Sequence, residues 1–215
     1  KMQKYISEFI GTFILLVSIV GSGIAGQQYT NDQMVILVSH AVVIGLTLIF
    51  IIGIFANFSG AHFNPIVSIL FFLQKELSKK DQCLFISIQI TAAILGTIFA
   101  NYIFGLSIVE ISSNIRSGTN IYISEIFASF GLLMVIFLSK VGGKNIVAFN
   151  VGIYITAAII FTSSASFANP AVSIARIFTE SFAGINPSTV IFFIGSQVIG
   201  MFGAYFLYNR LFKTK

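Results

Sequence analysis

The sequence predicts an all-α membrane protein with six transmembrane helices and two re-entrant half-helices, on three observations. The first is composition: of 215 residues, 56% are hydrophobic and only 9% are charged. Because a soluble domain carries about 25% charged residues, most of this surface must face lipid. The other two observations are six apolar stretches of membrane-spanning length and a pair of Asn-Pro segments at equivalent places in two halves of the chain.

Composition also excludes several other classes of protein. A chain with 24 Phe and 3 Pro is neither disordered nor collagen-like. The single cysteine, Cys83, provides neither a disulfide framework nor a cysteine-rich metal site. The net charge of +5 comes from residues that lie between apolar runs rather than in one basic patch, so no nucleic-acid partner is expected.

Six stretches have the roughly 20 apolar residues that a membrane helix needs. They cover residues 5–25, 35–56, 83–105, 121–139, 146–163 and 187–209. The alternating pattern of a membrane barrel strand is absent throughout. We therefore expect six helical spans in the lipid bilayer.

The distribution of Lys and Arg predicts the orientation of these spans. Ten of the 12 basic residues fall on one side; they are Lys1, Lys4, Lys75, Lys79, Lys80, Lys140, Lys144, Arg210, Lys213 and Lys215. The exceptions are Arg116 and Arg176. Both termini are therefore predicted to be cytoplasmic, and the compact loops suggest a bacterial inner membrane.

Two further apolar segments, 64–73 and 169–179, are too short to cross the membrane. Each begins with Asn-Pro, and Asn is a favoured N-cap while Pro is favoured at the first helical position. Each segment is therefore predicted to be a half-helix that returns to the face it left. The first lies on the cytoplasmic side and the second on the outer side.

The chain contains an internal repeat within a single channel domain, residues 1–215. Residues 7–16 align with 124–133, and residues 59–69 align with 164–174. The repeats cover about 5–105 and 121–210, and each holds three spans. Because three is odd, the two halves are predicted to be inverted, an arrangement that places a solute site near the membrane mid-plane.

These motifs resemble the aquaporin/glycerol-facilitator family, the major intrinsic proteins. The resemblance rests on the two Asn-Pro segments, on Glu8 and Glu125 near the start of each half, and on the Gly-x-His-Phe-Asn-Pro context of residues 60–65. It covers nearly the whole chain. It implies a right-handed helical bundle around a central pore, and a homotetramer with one pore per subunit.

The pore centre is expected where the two half-helices meet, with the pore motif formed by Asn64, Pro65, Ile66, Asn169, Pro170 and Ala171. Each half-helix N-terminus carries about half a positive charge, and each Asn adds amide donors. Water and hydroxyl groups can accept these hydrogen bonds, whereas cations, including hydronium, are repelled. Ile66 replaces the family's Ala and is expected to pack beside the partner motif, where it can narrow or reshape the centre.

The resemblance also implies an outer selectivity filter built from four residues. Counting from the Asn motifs assigns it to Ile44, Ala157, Ser166 and Val172. Val172 stands where the family usually has Arg, so the filter is expected to be wide, apolar and uncharged. Such an opening suits bulkier neutral solutes better than strict water selectivity.

Arg176 lies four residues after Val172, on the same helical face. Its guanidinium either reaches back toward the filter or pairs with Glu180 or Glu110. The Asn-Pro-Ala-Val motif followed by Ala-Arg resembles a bacterial branch of the family often associated with arsenic resistance. That resemblance implies passage of undissociated metalloid acids such as arsenous acid.

Four other polar residues are candidates for roles around the pore. Intramembrane acids are functional by default, and we expect Glu8 and Glu125 to support the pore loops, with a proton relay as the alternative. His62 is assigned to the cytoplasmic vestibule, with loop packing as its alternative. His40 either lines the outer mouth, where it would make permeation pH-sensitive, or forms an interhelical hydrogen bond.

No catalytic triad, metal-spaced cluster or nucleotide motif is present, so the sequence predicts neither an enzyme nor a cofactor or metal. The predicted function is a passive channel for small uncharged solutes: water, glycerol-like polyols and arsenous acid. Ions and protons are excluded. Two alternatives remain open, a water-selective aquaporin and a secondary active transporter of a small solute.

Overall fold

The computed structural model describes residues 2–212, so Lys1, Lys213 and Lys215 of the orientation argument lie outside the described residues. The described chain folds into eight α-helices and two short 3-10 turns. The helices are α1 Gln3–Tyr29, α2 Gln33–Phe55, α3 Pro65–Leu73, α4 Lys79–Ile103, α5 Thr119–Ser139, α6 Lys144–Phe161, α7 Pro170–Ala175 and α8 Pro187–Leu211. Six of them are long and apolar enough to cross a membrane, and the two short ones follow the two Asn-Pro motifs.

Polar caps extend the helices beyond the apolar windows that predicted them. Asp32 caps α2, since its side chain accepts hydrogen bonds from the backbone N–H groups of Met34 and Val35. Ser78 caps α4 in the same way, five residues before the first apolar residue of that span. The second half-helix is shorter than predicted, because its α-helical part ends at Ala175 and a 3-10 turn follows over Arg176–Phe178.

The helices pack in equivalent pairs in the two halves, α1 on α4 and α5 on α8, while α2 packs against α6 between the halves. Glycine allows this last crossing. A Cβ on Gly45 would lie 2.8 Å from the carbonyl oxygen of Gly152, and a Cβ on Gly152 would lie 2.5 Å from that of Gly45. Any larger residue would therefore push the two backbones apart.

Candidate pore

A cavity of about 500 Å³ runs through the bundle between two mouths. The inner mouth is defined here by Phe71, Glu76 and Lys140, and the outer mouth by His40, Phe167 and Arg176. Between them, α2 and α6 each contribute a row of residues spaced four apart. The rows are His40, Ile44, Leu48 and Ile52 on α2, and Val147, Val151, Ile155 and Ile159 on α6. This spacing keeps each row on one helical face, so the walls are mostly apolar and the polar groups come from the loops.

The two motif asparagines meet near the middle of this cavity and hold each other's loops. Asn64 donates from Nδ2 to the carbonyl oxygen of Ala168 at 2.8 Å, and Asn169 donates from Nδ2 to that of Phe63 at 2.8 Å. The Oδ1 atom of each caps its own half-helix. Because an amide has two N–H groups, one on each side chain remains for a passing acceptor. Both side chains line the cavity and are only 5% exposed.

The first pore loop is tied down by a buried carboxylate. Glu8 accepts hydrogen bonds from Ser59 Oγ at 2.6 Å, from Gln89 Nε2 at 2.8 Å, and from the backbone N–H groups of His62 and Phe63 at 2.9 and 2.8 Å. Four donors therefore converge on one carboxylate. The loop immediately before Asn64 is fixed to α1 and α4 as a result.

The second loop is bound in the equivalent way. Glu125 accepts from the backbone N–H groups of Phe167 and Ala168 at 3.2 and 2.6 Å, and from Gln197 Nε2 at 2.8 Å. Gln197 also donates to Ser173 Oγ of α7 at 2.9 Å. Each acid therefore serves the loop of its own half.

Both loops need this support because their backbones adopt the left-handed region. The residues with positive φ are Gly60, Ala61 and Phe63 in the first loop and Ala165, Ser166 and Ala168 in the second. Most of these are not glycine, and such conformations persist only where the surroundings over-determine them. The glutamates and the asparagine cross-links provide those constraints.

Ile66 does not line the cavity, so of the two effects expected of it the direct narrowing of the pore centre is not observed. Its side chain is fully buried and does not line the cavity, and the same holds for Pro65, Pro170 and Ala171. The prolines occupy the first helical turn, as their position after the Asn caps predicts. The larger side chain of Ile66 is accommodated in the packing behind the lumen.

Three of the four residues assigned to the filter line the cavity, namely Ile44, Ser166 and Val172. The fourth assignment, Ala157, was wrong as a pore-lining position, because its side chain is exposed on the outer surface of α6. The count from Asn169 assumed that the loop before it has the family's usual length. If the loop differs by two residues, the assigned position on α6 turns by about 200° about the helix axis and so faces away from the pore. Ile155 and Ile159 face the cavity instead, and the row spaced four apart on α6 was the signal for them.

Arg176 lies buried at the outer mouth. Its Nε donates to the carbonyl oxygen of Ala183, and its guanidinium carbon is 3.5 Å from the centroid of the Phe167 ring. The expected pairing with an acid was wrong. Glu180 instead accepts from the backbone N–H and Oγ of Ser113, at 2.5 and 2.6 Å, which lowers the pKa of Glu180. Within residues 2–212, no ion pair joins Arg176 to Glu110 either.

Each histidine combines the two roles that the sequence left open. His62 lines the cavity, and its Nδ1 is 3.1 Å from Ser68 Oγ of α3, which packs the loop against its half-helix. His40 also lines the cavity, and its Nδ1 forms an interhelical hydrogen bond of 2.8 Å with Ser22 Oγ. Packing and lumen contact are thus compatible at both positions.

Comparison with known proteins identifies the family. The sequence profile described as Major intrinsic protein matches residues 1–166. The chain belongs to the major intrinsic protein family. It is 38% identical over 198 residues to aquaglyceroporin AqpS of Rhizobium meliloti (strain 1021), an alignment that covers 92% of this chain and 85% of AqpS.

Other relatives agree with this membership of the major intrinsic proteins. Aquaporin NIP1-1 of Arabidopsis thaliana is 29% identical over 63% of this chain and 48% of its own length. The X-ray structure of the aquaglyceroporin from Plasmodium falciparum superposes with a TM-score of 0.76 at 21% identity, covering 98% of this chain and 96% of that one. The predicted fold class is therefore confirmed. The protein is an integral multi-pass membrane channel for small solutes, not an enzyme.

Proposed function

We propose that this major intrinsic protein is a passive channel for small uncharged solutes, conducting water, glycerol-like polyols and arsenous acid while excluding ions and protons. The observation that carries the proposal is the pair Asn64 and Asn169, cross-linked to each other's loops in the middle of a cavity that reaches both mouths. The relative named an aquaglyceroporin supports the polyol part of the proposal.

The central geometry explains how neutral solutes pass. Each Asn presents one free amide N–H to the lumen, beside the N-terminus of a half-helix that carries a partial positive charge. A solute oxygen can accept these bonds and so replace part of its hydration shell. A cation is repelled by the amide donors and positive dipole ends at this point, so its lost hydration is poorly compensated.

The outer filter favours solutes larger than water. Ile44 and Val172 present apolar surface, and neither narrows the opening as the family's usual Arg would. Ser166 also lines the cavity, but its hydroxyl oxygen is buried, so it adds little polar surface to the filter. With Ala157 turned away, Ile155 and Ile159 complete the wall that a polyol's carbon skeleton would contact.

Assembly and location complete the proposal. We place the protein in a bacterial inner membrane with both termini cytoplasmic, which a bacterial relative and the distribution of basic residues support. The homotetramer is proposed from membership of the family alone. His62 and His40 line the inner and outer vestibules of each pore.

Stopped-flow light scattering on proteoliposomes tests the function, with water, glycerol, urea and arsenous acid measured in parallel. We expect flux of all four solutes above that of empty liposomes, at rates that an uncoupler does not change. Fast water flux without glycerol flux would identify a water-selective aquaporin instead. Uphill accumulation that collapses with an uncoupler would identify a secondary active transporter.

Val172→Arg tests the role of the filter. We expect this variant to lose glycerol and arsenous acid flux while it retains water flux, because the new side chain narrows and charges the opening. Val67→Arg is the matched comparison, since Val67 occupies the equivalent position after the first Asn motif and also lines the cavity. Unchanged solute selection in Val172→Arg would refute the assigned filter.

A further inference from the structure

The two mouths of the pore carry equivalent stacked pairs with different charges. The offset that aligns residues 59–69 with 164–174 also aligns His62 with Phe167 and Phe71 with Arg176. At the inner mouth, the rings of His62 and Phe71 lie 4.6 Å apart between centroids. At the outer mouth, the guanidinium of Arg176 stacks on Phe167 at 3.5 Å. The same structural position is therefore aromatic at one mouth and cationic at the other.

The cation at the inner mouth is neutralised. Lys140 lies over the Phe71 ring at 4.5 Å, and its Nζ is 2.7 Å from both carboxylate oxygens of Glu76. Lys144 also lines this end of the cavity, but it is exposed and donates to Asn57 Oδ1 at 2.9 Å, so water screens its charge. Lys140 and Glu76 contribute one positive and one negative charge in contact. Such a pair produces only a weak field in the lumen.

The cation at the outer mouth is not neutralised. Among the described residues 2–212, the ion pairs are Lys4–Asp81 and Lys140–Glu76, and neither involves Arg176. The partner of Arg176 is the carbonyl oxygen of Ala183, which accepts a hydrogen bond but carries no net charge. Arg176 also lines the cavity while only 4% exposed, so water screens its charge poorly.

Neighbouring contacts keep this charge in place. The loop that carries Ala183 is bound on both sides by Arg116, which donates from Nε to the carbonyl oxygen of Gly184 at 3.0 Å and from Nη2 to that of Phe182 at 2.9 Å. Arg116 itself does not line the cavity. Arg176 is thus fixed between the Phe167 ring and a tethered carbonyl.

We infer that Arg176 is the specificity-determining residue of the outer mouth, one helical turn outward of the position where the family places its filter Arg. Its fixed charge rejects cations and hydronium at this mouth, and its guanidinium donates to the oxygens of neutral solutes. The inner mouth lacks this selectivity. The inference rests on the proposed channel function, and it makes charge selection unequal at the two ends of a symmetric fold.

The test compares local electrostatic potentials at two equivalent positions. Val67 and Val172 both line the cavity, one turn from Phe71 and Arg176 respectively. In a Cys83→Ser background, which removes the exposed native cysteine, Val67→Cys and Val172→Cys are each reacted in detergent with cationic, anionic and neutral methanethiosulfonates. Mass spectrometry measures the rate at which each reagent modifies each cysteine. The half-helix dipoles contribute similarly to the electrostatic potential at both positions. A difference in rate ratio between positions 67 and 172 therefore reports on the charges at the two mouths.

We expect the ratio of anionic to cationic reaction rates to be about a hundredfold higher at position 172 than at position 67. This is the size of a unit charge that acts with opposite sign on the two reagents over one helical turn at intermediate dielectric. Adding Arg176→Met should lower the ratio at 172 toward that at 67, whereas Arg210→Met, at the exposed C-terminal end of α8, should leave it unchanged. The neutral reagent reports whether each variant keeps an open, folded lumen.

Equal ratios at positions 67 and 172 would overturn the inference, and this comparison needs no substitution of Arg176. An unchanged ratio at 172 after Arg176→Met would overturn it equally. Because the measurement is made on a local potential, it is independent of solute flux. Failure of the proposed function would instead appear as absent flux in liposomes with normal cysteine reactivity.

Discussion

Replacing Glu8 by Gln tests whether the buried carboxylate holds the first pore loop. In the native protein, Glu8 Oε1 accepts from Ser59 Oγ and the His62 N–H, and Oε2 accepts from the Phe63 N–H and Gln89 Nε2. A glutamine offers one oxygen and one NH₂ group in place of the two oxygens. In either orientation, its NH₂ group faces a backbone N–H of the loop and leaves that group without an acceptor.

The expected cost follows from these contacts. Ser59 and Gln89 can reorient to accept from the new NH₂ group, but a backbone N–H cannot. An unsatisfied buried N–H costs about 1–3 kcal/mol, and the two remaining bonds lose about 1 kcal/mol each on changing from charge-assisted to neutral. We therefore expect Glu8→Gln to reduce the free energy of unfolding by about 3–5 kcal/mol.

Unfolding of the purified protein in mixed micelles, titrated with SDS and followed by circular dichroism, measures this change. Glu125→Gln should cost a similar amount, because its carboxylate also binds two backbone N–H groups. Glu110→Gln is the matched control, since Glu110 is exposed in the outer loop, and it should change the free energy of unfolding by less than about 0.5 kcal/mol. If Glu8→Gln unfolds like Glu110→Gln, the carboxylate does not hold the loop.

Three further predictions follow from the structure. Ile155→Trp should fill the lumen and reduce glycerol flux at least about tenfold in stopped-flow assays. Ala157→Trp, on the outer surface of α6, should leave the flux within about twofold of the native value. Equal effects of the two substitutions would contradict the assignment of Ile155 to the pore wall. Gly45→Val should prevent the close α2–α6 crossing, and a monodisperse peak on size exclusion with wild-type thermal stability would show that the crossing tolerates a side chain. Because Ser113 lowers the pKa of Glu180, their contact stabilises the outer loop above the unfolded value near 4.3 and is lost as the pH falls through the folded pKa. A spin label in that loop should become more mobile as the pH falls below the unfolded value, and Ser113→Ala should be mobile already at pH 7.

The sequence alone was enough to predict the elements of this fold. Apolar runs of membrane-spanning length mark the six long helices, because a helix is the local structure that satisfies its backbone within lipid. Asn-Pro pairs mark the starts of α3, α7 and α8, because an Asn cap and a Pro in the first turn act on their immediate neighbours. These signals are local, so they can be read without knowing what packs where.

The tertiary structure decided which face of each element meets the pore. Ala157 was assigned to the lumen and lies on the outside, because the rotation of α6 depends on its crossing with α2 at Gly45 and Gly152. Tertiary packing likewise decided the partner of Arg176, because it brings Ala183 and Phe167 into contact with the guanidinium. Glu180 binds Ser113 instead, and Glu110 forms no ion pair with Arg176. Helical periodicity fixes how residues on one helix relate to each other, but only contacts between helices fix the direction in which that pattern points.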